Sequence, residues 1–336
     1  MIKDAIGKLA AHENLSQAEA YDAMNDIMSG NASESQIAGF LMGLRLKGET
    51  VDEIAGCARS MREKATPIKS KHESIIDTCG TGGDAAGTFN VSTTAAIIAS
   101  AAGAAVAKHG NRAVSSRCGS ADVLKGLGVN IEITPEKVTR VLDDVGITFL
   151  FAPLIHGAMK FAAPVRRELG IRTIFNILGP LTNPAGAKRQ LLGVFDPRLT
   201  EVIAGVLREL GSERAVVVHG QGGFDELSTL GWSKISEVSG GEITTYEISA
   251  QDFGFTPARL ADLKGGEAEL NARIIHSILN GDDGAPRDMA LLNAAAAIMV
   301  AGLAGSIKEG ISVARGVVDS GAAQRKLSHW IEATNS

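Results

Sequence analysis

Apolar positions in the first seventy residues recur at helical spacing. Ala20, Met24, Ile27 and Met28 lie on one stripe, and Ile37, Phe40, Leu41 and Leu44 on another. Ser16 with Glu19, Ser33 with Gln36, and Thr50 with Glu53 have the spacing in which two side chains satisfy the orphan amides of a helix start. Gly30 and Gly48 stand where such helices would end. The pattern predicts a small all-helical domain over residues 1–70, left through the linker Pro67–Ser74.

From Ile75 the pattern changes to short apolar runs separated by helical stretches. Ile75–Asp77, Ala104–Ala107, Val129–Ile133, Ile147–Phe151, Leu191–Phe195 and Ala215–Val218 read as strands. Thr134-Pro135-Glu136 reads as a helix cap followed by proline at the first helical position. Such alternation implies an α/β domain over residues 71–336, with a central, mainly parallel sheet flanked by helices. Ligands of such sheets bind at the carboxyl ends of the strands. The loops after these strands are therefore the candidates for chemistry.

Composition narrows the choice. Apolar residues are 45% of the 336, charged residues 21%, and the net charge of −5 argues against a chain that coats nucleic acid. Cys57, Cys79 and Cys118 form no CxxC pair, which points to a reducing compartment and away from disulfides or structural zinc. The first twenty residues carry charges throughout and lack the apolar run of a signal peptide. The charge-poor stretches Thr88–Ala107 and Ala290–Ile307 are rich in Ala and broken by polar residues, so buried helices explain them better than membrane spans. A cytoplasmic protein without membrane contact is expected.

Four loops carry candidate chemistry. In Asp77–Thr93, a strand runs into Gly80, Gly82, Gly83 and Gly87 before a helix opens near Ser92 and Thr93. Glycines let amides approach an anion, and the helix start adds partial positive charge, so the loop reads as a polyphosphate cradle or a plain tight turn. Its match to the dinucleotide fingerprint GxGxxA lacks the acidic residue about twenty positions on. Lys108–Asp122 gathers Lys108, His109, Asn111, Arg112, Ser115, Ser116, Arg117 and Ser120, which suits an anionic ligand or a solvated basic loop. In His219–Ser228, Asp225 and Glu226 can both turn inward beside such a cradle, as Mg²⁺ requires. In Ala163–Gly186, Arg166 and Arg167 precede the rigid Gly179-Pro180-Leu181-Thr182-Asn183-Pro184 stretch. An arginine fork suits a carboxylate, although structural ion pairs would also account for it.

The segments DTCGTGGD, NVST, KHGNRAVSSRCGSADVL, VRRELGIRTIFNILGPLTNP, HGQGGFDELS and RDMALLNAAAA, in this order along nearly the whole chain, resemble the anthranilate phosphoribosyltransferases. These belong to the nucleoside-phosphorylase-like phosphoribosyltransferases. The resemblance implies that Gly80, Gly83, Asp84, Thr88, Asn90, Val91, Ser92, Thr93, Lys108, Asn111, Arg112, Ser115, Ser116 and Ser120 hold 5-phosphoribosyl 1-pyrophosphate (PRPP). It implies that Ser92, Asp225 and Glu226 hold Mg²⁺. Gly80, His109, Asn111, Arg166 and Pro180 would meet anthranilate. It further implies a homodimer, and a helical excursion near residues 160–180 that joins the helical domain.

The chemistry this implies needs no acid–base dyad. Anthranilate's aromatic amine is already neutral at pH 7, and Lys108 with the loop amides can stabilise a departing pyrophosphate electrostatically. The alternatives are a pyrimidine nucleoside phosphorylase-like enzyme and a non-catalytic nucleic-acid-binding relative. The GTGGD loop with Asp225-Glu226 and GPLTNP weighs against the first, and the net charge against the second.

Overall fold

The computed structural model describes residues 1–82, 87–113 and 117–336. The helical start comprises α1 (Ile2–Ala10), α2 (Gln17–Met28), α3 (Glu34–Lys47) and α4 (Val51–Lys64). All three capping boxes form: the hydroxyls of Ser16, Ser33 and Thr50 each accept the amide three residues on at 3.3 Å. Each is worth about 1 kcal/mol. Helix α1 has no side-chain cap, and no start signal in the sequence announces it. The linker Pro67–Ser74 has no regular structure.

Next come β1 (Ile75–Gly80), α5 (Val91–Ala101), β2 (Ala105–Gly110), α6 (Ser120–Gly126), α7 (Pro135–Val145) and β3 (Ile147–Phe151). Short helices α8 (Ala152–Ile155), α9 (Ala163–Leu169) and α10 (Phe175–Leu178) lead to β4 (Arg189–Gly193), α11 (Leu199–Glu209) and β5 (Arg214–Gly220). The hairpin β6 (Trp232–Ser239) and β7 (Glu242–Ser249) comes after these. Helices α12 (Ala268–Leu279), α13 (Ala285–Ala301), α14 (Ile307–Asp319) and α15 (Ala322–Asn335) complete the chain.

The strands form one sheet in the order β3-β2-β1-β4-β5-β6-β7. Neighbours from β3 to β5 run parallel, and β6 and β7 are antiparallel. Two sequence expectations are corrected. Among the described residues Val129–Ile133 pairs with no strand: Val129 and Ile131 are buried while Asn130 and Glu132 are exposed, and Asn130 N–H donates to Thr334 Oγ1 of α15 at 3.1 Å. Its alternation comes from lying across a helix, not from a ladder. The hairpin β6–β7 escapes the sequence pattern because β7 is half exposed and polar, with no apolar run to announce it.

Both faces of the parallel strands are buried, as such sheets require. Val216 and Val218 join a core with α5, α13, α14 and α15. Ala215 and Val217 on the opposite face join a core that continues through α11 and α9–α10 into the helical start. The helical start thus completes its core within this chain. The charge-poor stretches hold α5 and α13, both largely buried. Among the described residues, no helix is long and apolar enough to cross a membrane.

Candidate active site

Four of the five parallel strands end in glycine: β1 at Gly80, β2 at Gly110, β4 at Gly193 and β5 at Gly220. The loop after β5 folds back across three of these ends. A Cβ on Gly193 would lie 1.4 Å from the Asp225 carbonyl oxygen, on Gly80 2.2 Å from Asp225 Oδ2, and on Gly220 2.4 Å from the Glu226 carbonyl oxygen. On Gly110 it would lie 2.4 Å from Ser120 Oγ. Without side chains at these points, the loops after β1, β2 and β5 close over one edge of the sheet.

There the structure gathers most of the residues expected from the sequence. Lys108, 2% exposed, points across from β2 to β1, where its ammonium meets the Thr78 carbonyl and Ser92 Oγ, the latter at 3.2 Å. Burial lowers its pKa, and Asp77, Cys79, Glu226 and Asp225 oppose that shift. Asp225 Oδ2 accepts the Gly82 amide at 2.8 Å, which ties the third loop to the first. Burial pushes the Asp225 carboxyl up. Gly83, Asp84, Ser115 and Ser116 lie outside the described residues.

The first loop ends at α5. Asn90 is its N-cap, and its side chain makes no cap hydrogen bond. Val91 and Thr93 are fully buried, so at those positions only backbone can face a ligand, and Thr93 Oγ1 has no hydrogen-bond partner among the described residues. Thr88 bridges to Lys264. In the second loop, Ser120 Oγ donates to the Asn111 carbonyl at 3.2 Å, and Asn111 Oδ1 accepts the Arg112 amide at 2.8 Å. Arg112 turns elsewhere: it pairs with Glu132 at 3.0 Å and lies over the Phe151 ring.

His109 packs edge-on against His156, their Nε2 atoms 3.0 Å apart. Burial holds His109 neutral, its pKa pushed down to about 3, and His156 similarly down to about 4. Pro180 is buried beside them, its carbonyl held by Gln190 Nε2 at 2.8 Å. Arg166 on α9 lies over the Phe175 ring of α10, 5.0 Å from its centroid. Burial lowers its pKa, and among the described residues it has no acidic partner and no side-chain hydrogen bond. A half-buried guanidinium in this state is suited to an incoming carboxylate.

Several residues that hold these loops are not singled out by the sequence. Buried Asp77 accepts the His109 amide at 3.0 Å and Asn183 Nδ2 at 2.8 Å, joining β1, β2 and the Thr182-Asn183 turn. Asn293 of α13 clamps Leu227, next to Glu226, through both its N–H and its carbonyl, each at 2.9 Å. An asparagine in the otherwise apolar MALLNAAAAIM run is a legible signal, because a buried amide must find partners.

The donor set fits magnesium. Asp225 is buried and desolvated, Glu226 stands partly buried beside it, and Ser92 contributes a hydroxyl to the same edge. Among the described residues no cluster of three or more His, Cys, Asp or Glu is present. Mg²⁺ takes one or two carboxylates and completes its shell with water and phosphate, so an open pair suits it better than a closed cage.

Comparison with known proteins decides the family. The glycosyl transferase family helical bundle domain matches residues 3–65, and the family's a/b domain matches 72–324. An anthranilate phosphoribosyltransferase from Moorella thermoacetica is 55% identical over 336 residues, spanning 99% of each chain. The chain belongs to the anthranilate phosphoribosyltransferase family. The crystal structure of the family member from Thermus thermophilus superposes with a TM-score of 0.94 at 45% identity, over 99% of this chain and 100% of that one. The Saccharomyces cerevisiae enzyme in complex with PRPP and Mg superposes with a TM-score of 0.90 at 29% identity, over 99% and 98% of the two chains. The helical start and mostly parallel sheet are thus the fold of anthranilate phosphoribosyltransferases.

Proposed function

We propose that this chain transfers the phosphoribosyl group of PRPP to the amine of anthranilate, giving N-(5-phosphoribosyl)anthranilate and pyrophosphate, in L-tryptophan biosynthesis. The observation that carries this reading is the single sheet edge shared by Lys108, the glycine-ended strands and the Asp225-Glu226 pair. Its support is the 55% identity to a full-length relative named for that activity, and a structural neighbour holding PRPP and Mg. The same full-length identity weighs against a nucleoside phosphorylase or a nucleic-acid-binding relative.

In this reading Gly80, Gly83, Asp84, Thr88, Asn90, Val91, Ser92, Thr93, Asn111, Ser115, Ser116 and Ser120 bind PRPP through loop amides and hydroxyls, and Arg112 binds it through its guanidinium on leaving Glu132. Lys108 faces the charge that develops on the departing pyrophosphate. Arg166 pairs with the anthranilate carboxylate, while Gly80, His109, Asn111 and Pro180 place the amine at the anomeric carbon. The C–O bond to pyrophosphate breaks with its electron pair leaving on the pyrophosphate oxygen, the C–N bond forms, and the amine's proton passes to water or to the released pyrophosphate. The neutral amine needs no strong base, which agrees with two histidines held uncharged. Ser92, Asp225 and Glu226 hold Mg²⁺, which when bound supplies positive charge against the pyrophosphate oxygens.

Two further assignments complete the reading. Residues 1–70 and the excursion near 160–180 act as one domain against the remainder of 71–336. The chain works as a cytoplasmic homodimer through the helical start, where Met1 and Leu46 are 63% and 73% exposed. Light scattering at micromolar concentration tests the dimer, and a monomer would sink it.

Anthranilate is fluorescent, so its loss on adding PRPP and Mg²⁺ is the decisive assay. Fluorescence should fall only with all components present, and the Asp225→Asn/Glu226→Gln variant should demand far more Mg²⁺. Unchanged fluorescence with the complete mixture would overturn the assignment.

A further inference from the structure

Asn271 lies in the first turn of α12, outside every loop discussed above, and is 1% exposed. Both ends of its amide are engaged. The Gly266 amide donates to its Oδ1 at 2.8 Å, and its Nδ2 donates to Asn90 Oδ1 at 2.9 Å. Asn90 passes the chain on, its Nδ2 donating to the Cys118 carbonyl at 3.2 Å. The relay starts at a backbone donor and ends at a backbone acceptor. Each amide therefore has one orientation that satisfies both neighbours.

The backbone around the relay is held by the same segment. Gly265 N–H donates to the Gly87 carbonyl at 3.0 Å, and Phe89 N–H donates to the Leu263 carbonyl at 3.3 Å. A Cβ on Gly265 would sit 2.8 Å from the Phe89 nitrogen, so only glycine permits the approach. Residues 263–266 lie against 87–90 as a strap, and Asn271 is the side chain that carries it into the site.

The relay also sets what Asn90 can offer a ligand. Its carbonyl oxygen accepts from Asn271 at 2.9 Å, and the Cys118 thiol, which shares its one hydrogen with the Gly119 carbonyl, lies 3.5 Å from the same oxygen. One of its two N–H groups is committed to Cys118, leaving one. We infer that Asn271 is a positioning residue for the donor substrate, holding Asn90 so that an N–H and not the amide oxygen faces the pyrophosphate. The inference rests on the reading of Asn90 as a PRPP ligand. A flipped Asn90 would set an acceptor against phosphate oxygens.

Calorimetric titration with PRPP and Mg²⁺, beside steady-state kinetics, tests this on the full chain. Asn271→Asp keeps an acceptor for Gly266 but turns a second acceptor toward Asn90, which then flips to donate. PRPP affinity should fall about ten- to a hundredfold, the scale of a lost charged hydrogen bond, with the KM for anthranilate unchanged. Asn271→Ala should cost less, because a released Asn90 still samples the donor orientation. In an Asn90→Ala background, Asn271→Asp should add less than about twofold, since residues acting through one another are non-additive. Equal losses in both backgrounds would mean the added charge acts alone, and would overturn the proposal. Normal PRPP binding by Asn90→Ala would instead remove Asn90 from the ligand set and the inference with it, leaving the rest of the site standing. If Asn271→Asp does not fold, the same cycle with Asn271→Ala decides, additivity overturning the proposal.

Discussion

The five parallel strands and the antiparallel pair differ in what they deliver to the site edge. Strands running parallel bring all their carboxyl ends to one side, so the loops after β1, β2 and β5 meet there with Lys108, Asp225 and Glu226. The antiparallel pair turns back on itself, and only β7 ends on that side. Beyond β7 the chain reaches the strap at 263–266, which holds the first loop from behind. The candidate ligand-facing groups of the sheet thus come from the parallel half, and the antiparallel half adds only support, beside that of Asp77, Asn183 and Asn293. The difference teaches that strand direction, before any side chain, decides which loops can share a substrate.

Gly193 and Gly240 put that comparison to its largest test. At Gly193 an added Cβ meets backbone at 1.4 Å, so Gly193→Ala must displace the loop that carries Asp225. Denaturant unfolding should show a loss above about 4 kcal/mol, and activity should disappear. Gly240, in the β6–β7 turn at φ +59°, has nothing within 4 Å of such a Cβ. Gly240→Ala should cost only about 1 kcal/mol, from the left-handed backbone, with activity intact. Comparable losses at the two sites would dissolve the distinction between the halves.

A smaller effect is expected at Arg166, outside the sheet. Arg166→Ala should raise the KM for anthranilate about ten- to a hundredfold while that for PRPP stays nearly constant. A variant that loses thermal stability but keeps both KM values would make Arg166 a structural residue stacked on Phe175.

The smallest effect concerns His109 and His156. Both are held below the ordinary histidine value of 6.5, so as pH falls the unfolded chain takes up protons first. Stability should be full above about pH 6.5 and should be lost as pH drops toward the folded values of about 4 and about 3. Between pH 7.5 and 6 each ring should account for about 1 kcal/mol, and His156→Gln should remove one share of that slope. An identical slope in this variant would show that the pair does not govern it.

Much of this molecule is legible residue by residue. Capping boxes at Ser16, Ser33 and Thr50 announce α2, α3 and α4, and apolar runs announce the five parallel strands, because local hydrogen bonding and burial on both faces leave marks in the chain itself. Glycine-rich and cationic loops after β1 and β2 mark the site, since an anion needs amides and positive charge whatever the rest of the fold does. Val129–Ile133 misleads because alternation reports one buried side, which a helix surface supplies as well as a sheet does. Strand β7 stays hidden because its outer face is wet.

Only tertiary structure decides how the loops are held. Asn183, Asn271 and Asn293 each reach from a different segment to a loop carrying candidate ligands. Nothing in their spacing reveals the partner, which stands 106, 181 and 66 residues away in turn. The orientation of Asn90, the neutral state of His109 and the turn of Arg112 toward Glu132 come from burial and from partners brought close by the fold. A sequence states which groups can donate, accept or carry charge. Their direction and charge state depend on which neighbours exclude water and which remain to bond, and those are fixed when distant segments pack.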